Sequence, residues 1–247
     1  MLINNLSCYE EFIIRRDTSG CNTKDFLRNC NNVIQYKNHY YLWTDDGLLN
    51  VFDDNGNKIE YSDKILDLYI IPKSIKTCII PDCVSKIDAY TFYNCKSLKS
   101  VTIPNSVTNI DKYAFNNCKS LKSVTISNSV TEIDWGAFFH CSSLKSIAIP
   151  DSVTKIGSGA FYHCESLETV TISDNITKID DNTFAYCESL ETITIPDSIT
   201  EINKNAFYYC TSLKSITIPK GITKIDDSAF IGCTLLESDL VKLDAEI

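Results

Sequence analysis

The chain has 247 residues, 44% of them hydrophobic, which is enough apolar material for one continuous core or two small ones. A formal net charge of −9 and a pI near 4.8 argue against nucleic acid, whose phosphates require clustered Lys and Arg, and against docking on anionic lipid. No stretch reaches the roughly 18–20 apolar residues that span a bilayer, so no membrane insertion is expected.

The first residues, MLINNLSCYEEFIIRR, have no basic start, long apolar run or small-residue cleavage site, so a secretory leader is not expected. His39 to Trp43 and Leu48 to Phe52 alternate around Asp45, Asp46 and Gly47, which reads as a β-hairpin with an Asp-Gly turn. A second turn at Asp53 to Asn57 leads to Lys58 to Tyr61. Residues 1–65 are expected to be an amino-terminal cap or a small α+β domain, and Ile71 to Ile75 a shortened first repeat.

A single period then organises the chain. Cys95, Cys118, Cys141, Cys164, Cys187, Cys210 and Cys233 recur every 23 residues. Phe92 to Phe230, Leu98 to Leu236 and Ile87 to Ile225 keep the same step. In the unit Lys99 to Leu121, Ser100 to Ile103 alternates polar and apolar like a half-buried strand, and Pro104 ends it. Val107 and Ile110 return inward. Asp111 is placed to cap a short helical turn, Lys112 to Cys118, with Phe115 facing the core. One unit cannot bury its apolar face alone, but stacked units can. The expected fold is an α/β repeat solenoid over residues 66–237: a parallel β-sheet spine with short helical turns opposite, a hairpin-containing amino-terminal cap, and residues 238–247 closing the other end.

The pattern L-x-x-[VI]-x-I-P-x-S-[VI]-T-x-I-x-x-x-A-F-x-x-C, from about Thr77 to Glu237, resembles the BspA-like class of leucine-rich repeats. That resemblance implies an interaction protein, often displayed on a cell surface and associated with adhesion. The missing leader and the many unpaired thiols point instead to a reducing, cytoplasmic compartment, so localisation is left open between the two.

The periodic cysteines read as core thiols, because parallel side chains in one column do not aim at each other. Cys78 and Cys83 share that reading. Cys8, Cys21 and Cys30, with His39, lack the spacing of a zinc site. His140 and His163 occupy one column, but their column neighbours Asn117 and Tyr186 are poor metal ligands, so surface histidines are expected. Asp88, Asp111, Asp134, Asp180 and Asp226 share a column with Gly157 and Asn203, as helix caps would. No Walker loop, nucleophile elbow or dinucleotide fingerprint is present. Neither catalysis nor a cofactor or metal is expected.

A protein partner is. Three surfaces compete for it. The first is the strand face carrying Thr102, Thr125, Thr171, Thr194 and Thr217, with Ala148 in the same column. The second is the set of large side chains Trp135, Phe139, Tyr162, Tyr186, Tyr208 and Tyr209, an aromatic composition typical of binding hot spots. The third is a charge gradient, with Lys96, Lys99, Lys119 and Lys122 early and Glu165, Glu168, Glu188 and Glu191 late, which suits self-association. The expected function is a non-enzymatic protein-binding scaffold or adhesin-like module; the alternative is a repeat arm that presents a functional amino-terminal domain.

Overall fold

The computed structural model describes residues 73, 75–80 and 84–236, together with the backbone of four short strands between residues 33 and 59. These four are β1 (Val33–Tyr36), β2 (His39–Trp43), β3 (Leu49–Phe52) and β4 (Lys58–Ile59), antiparallel in that order. β2 pairs with β3 from Trp43 opposite Leu49 to Tyr40 opposite Phe52, the hairpin that the alternation implied. The Asp45–Gly47 turn, Cys8, Cys21, Cys30, Cys83 and residues 238–247 lie outside the described residues.

From Thr77 onward the chain winds with one geometry per 23 residues. Three-residue strands build the first wall: β5 (Thr77–Ile79), β7 (Ser100–Thr102), β9 (Ser123–Thr125), β11 (Ser146–Ala148), β13 (Thr169–Thr171), β15 (Thr192–Thr194) and β17 (Ser215–Thr217). They pair in parallel and in repeat register within three groups, β5–β7–β9, β11–β13 and β15–β17, with Val101 beside Val124 and Ile193 beside Ile216, for example. The sequence reading did not anticipate a second wall. It is made of two-residue strands, β6 (Lys86–Ile87), β8 (Asn109–Ile110), β10 (Glu132–Ile133), β12 (Lys155–Ile156), β14 (Lys178–Ile179), β16 (Glu201–Ile202) and β18 (Lys224–Ile225), paired in parallel as β6–β8–β10–β12 and β14–β16–β18. The threonine before several of these strands hooks backward. Thr131, Thr200 and Thr223 donate their hydroxyls to the carbonyls of Thr108, Thr177 and Thr200, one repeat earlier.

The third wall corrects the expectation of short helical turns: among the described residues there is no helix. Two positions in each unit have positive φ. One is filled by Tyr90, Tyr113, Gly136, Gly159, Asn182 and Asn205, the other by Asn94, Asn117, His140, His163, Tyr186, Tyr209 and Gly232. An α-helix cannot pass through left-handed residues. Backbone donors therefore alternate. Ala114, Asn116 and Cys118 bond within the turn to Asp111, Tyr113 and Phe115, at 3.1, 3.1 and 3.2 Å. Tyr113, Phe115 and Asn117 instead donate to Trp135, Ala137 and Phe139 of the next unit, at 3.0, 2.7 and 2.8 Å. The spacing of Asp111, Phe115 and Cys118 is that of a helix start and its inward face, but two consecutive turns produce it equally well. The aspartates start these turns through their carbonyls rather than capping helices. Their carboxylates find other partners: Asp134 accepts the Trp135 N–H at 2.7 Å, and Asp111 pairs with Lys86 at 2.8 Å.

Inside, Phe92, Phe115, Phe138, Phe161, Phe184 and Phe207 are fully buried, and Phe230 continues their column half-buried. Neighbouring rings stack nearly parallel, with centroids 4.7 Å apart between Phe92 and Phe115 and 5.5 Å between Phe161 and Phe184. The cysteine column behind them has a chemical reason. The thiols of Cys118, Cys141, Cys164, Cys187, Cys210 and Cys233 each donate to the carbonyl of the Phe 26 residues earlier. That carbonyl also accepts the backbone N–H of the cysteine in its own turn, as Phe115 does from Cys118 at 3.2 Å. A buried carbonyl with two lone pairs is thus fully satisfied. Burial pushes the Cys95 thiol up to about 11 and those of Cys141 and Cys187 well above their ordinary value, so these buried thiols are chemically quiet.

Candidate functional site: an aromatic file on the turn wall

The turn wall places its side chains outward at fixed intervals, and the left-handed positions decide which can be large. Gly136 leaves room for the Tyr113 ring, whose Cε1 lies 2.5 Å from where a Cβ would sit; Gly232 does the same for Tyr209. The rings so placed touch in sequence. Tyr90 stacks on Tyr113 at 5.3 Å, and Tyr113 meets Trp135 at 4.9 Å and Phe139 at 6.0 Å. Phe139 lies flat on Tyr162 at 4.6 Å and 12°, and Tyr162 meets Tyr186 edge-on at 5.5 Å. Tyr186 then contacts Tyr208 and Tyr209, which are 4.6 Å from each other.

All six large residues singled out from the sequence therefore belong to one file, packed on neighbouring turns while keeping solvent-facing area. Trp135 is 49% exposed and Tyr209 43%; Phe139, Tyr162, Tyr186 and Tyr208 are half-buried. Tyr90, Tyr93 and Tyr113 extend the file toward the first units and were missed. The signal for Tyr90 and Tyr113 was the column Tyr90–Tyr113–Gly136–Gly159, where Gly136 follows Tyr113 and makes space for it, and the signal for Tyr93 was the column it shares with Phe139, Tyr162 and Tyr208.

Thr102, Thr125, Thr171, Thr194 and Thr217 are exposed, but on the first strand wall, so the hydroxyl and aromatic sets do not form one surface. Lys96, Lys99, Lys119, Lys122, Glu165, Glu168, Glu188 and Glu191 are also exposed. Within the column that runs Lys99, Lys122, Lys145, Glu168, Glu191, Lys214, opposite charges in adjacent repeats pair within the chain: Lys145 with Glu168 at 3.3 Å and Glu191 with Lys214 at 3.1 Å.

The two histidines are embedded in the file. His140 stacks on His163 at 4.6 Å and 18°, and His163 on Tyr186 at 4.3 Å and 3°. Nδ1 of His163 lies 3.2 Å from the Glu165 carboxylate. Partial burial, then the neighbouring His163 and Lys119, hold His140 below the ordinary imidazole value. Toward the first units the same column continues as a side-chain hydrogen bond from Asn117 to Asn94.

The sequence profile described as BspA type leucine rich repeat region matches this chain in six copies, over residues 71–191 and 136–243. The chain belongs to that family. Among solved leucine-rich repeat structures, TpLRR of T. pallidum superposes with a TM-score of 0.66 at 25% identity, covering 84% of this chain and 92% of its own. A leucine-rich repeat protein from Bacteroides ovatus gives a TM-score of 0.63 at 27% identity over 82% of this chain; the match spans 48% of that protein, about half its length. No curated protein matches the chain.

Proposed function

We propose that this BspA-type chain is a non-enzymatic, adhesin-like protein-binding module, and that its partner docks on the turn wall between Trp135 and Tyr209. The observation that carries this reading is the unbroken file of exposed and half-exposed rings, held rigid by mutual stacking. Such rings lose little conformational entropy on binding and combine apolar area with polar tips, which is what interface hot spots require. Leucine-rich repeats are in general scaffolds for protein contacts, and the strand walls here supply the frame that fixes the file.

The test is competition capture with the purified chain as bait and mass spectrometry as readout, followed by affinity measurement on the partner found. Trp135→Ala with Tyr162→Ala should weaken that partner by at least about 30-fold, the effect of losing one hot-spot side chain worth ~2 kcal/mol. Thr125→Lys with Thr171→Lys, on the strand wall, should leave it bound. The opposite pattern would place the interface on the strands and overturn the assignment.

A further inference from the structure

The file contains a cluster whose chemistry differs from its neighbours. His140 and His163 hold equivalent left-handed positions in successive turns, at φ 57° and 56°, so stacking of the repeats brings both imidazoles to one point. Glu165, two residues beyond His163, reaches back to the same point, and ligand atoms of the three residues all lie within 4.8 Å of one another. No other such group of three His, Cys, Asp or Glu occurs among the described residues.

We propose that His140, His163 and Glu165 bind a divalent transition-metal ion of the class that prefers imidazole, such as zinc, copper or nickel. Two nitrogens and one carboxylate oxygen suit those ions and not calcium or magnesium, which take oxygen ligands. Metal–ligand bonds of about 2.0–2.2 Å in a tetrahedral site separate ligand atoms by roughly 3.3 Å. The present spacing must therefore shrink by about 1.5 Å at most, which histidine rings achieve by turning about χ2, a broad torsion. Both imidazoles are half-buried and Glu165 is exposed, so an ion can reach the group from solvent. Tyr186 against one face of His163, and the edge contact of Phe139 with His140 at 4.7 Å, limit how far the rings can swing. This site does not depend on the partner-docking reading.

The column itself supplies the right substitutions. Asn94 and Asn117 occupy the same position as the histidines at φ 61° and 62°, so His140→Asn and His163→Asn keep the turn while removing a good ligand. The experiment is calorimetric titration of zinc chloride into the full chain, with cobalt(II) absorption as a second readout. The expected result is one ion per chain, a cobalt spectrum of nitrogen and oxygen ligands, and at least about tenfold weaker binding in His140→Asn, His163→Asn and Glu165→Gln. Without metal each variant should stay folded, Glu165→Gln with the wild-type melting temperature and the two histidine variants lowered only by the loss of a ring contact. No zinc uptake, uptake unchanged in His163→Asn, or a cobalt spectrum with thiolate bands would each overturn the site.

Discussion

Replacing Cys164 tests what the cysteine column contributes to the array. Its side chain is fully buried, and its thiol donates to the Phe138 carbonyl at 3.3 Å. That carbonyl keeps the Cys141 backbone N–H at 3.2 Å when the thiol is removed, so Cys164→Ala orphans no buried acceptor. What is lost is the burial of one sulfur, comparable to a methylene at about 0.8 kcal/mol. A methyl-sized void adds about 1 kcal/mol, and the S–H···O contact is second-order. The sum is ~2 kcal/mol. Cys164→Ser is the closer match in shape, yet its shorter C–O bond draws the donor away from Phe138, and a buried hydroxyl without a good partner costs about 1–3 kcal/mol. Serine should therefore destabilise at least as much as alanine. Urea unfolding read together with amide hydrogen exchange checks this, because repeat arrays depart from two-state behaviour and exchange localises the loss to the turns around residue 164. A serine variant as stable as wild type beside a weakened alanine variant would refute the reasoning. It would mean that the hydrogen bond, not the apolar volume, stabilises the column.

Two further outcomes follow from the same packing. A Cβ on Gly157 would lie 2.5 Å from the Trp135 backbone nitrogen and 2.8 Å from the Asp134 carbonyl carbon, where no side-chain rotation gives relief. Gly157→Ala should cost about 1–3 kcal/mol, seen as a lowered thermal midpoint; an unchanged midpoint would show that the two repeats separate more easily than their backbone bonds suggest. Under native conditions iodoacetamide, mapped by mass spectrometry, should spare Cys141, Cys164 and Cys187, whose thiols burial holds above their ordinary value. Cys233 should react, because it is half-buried at the late end of the column while the cysteines before it are fully covered. Labelling of Cys141 before unfolding would contradict the burial argument.

The 23-residue columns made the solenoid, its first strand wall and its Phe and Cys core legible before any coordinates, because identical inward residues must stack if repeats are to share a core. The turn wall was misread for a specific reason: Asp111, Phe115 and Cys118 have helical spacing, and single-segment reasoning assigns their donors to the same segment. In the stack the next repeat offers better-placed carbonyls, and they win. The clue lay in the outward columns, where Asn94, Asn117, Gly136, Gly159, Asn182, Asn205 and Gly232 are residue types that tolerate left-handed backbone. The second strand wall escaped notice because its strands are two residues long, too short for alternation to register. Glu165 lies off the column of His140 and His163, and periodicity brings together only equivalent positions, whereas a tight turn also joins residues two apart.

The backbone of the turn wall has a direction. Tyr90 donates to the Lys112 carbonyl, the next amide N–H, on Tyr113, donates to Trp135, and Gly136 donates to Ser158. Parallel series run from Phe92 through Phe115 and Phe138, and from Asn94 through Asn117 and His140. Each is an unbroken line of amides with every N–H pointing toward later repeats, so their dipoles add as they do along a helix. The neighbouring strands do not cancel this, since their amides alternate in sense. The solenoid is therefore electrically polar, negative at its early end and positive at its late end, and each added repeat lengthens the lines. Lys96, Lys99, Lys119 and Lys122 sit toward the negative pole and Glu188 and Glu191 toward the positive one, so the side-chain charge gradient lies along the backbone field rather than against it.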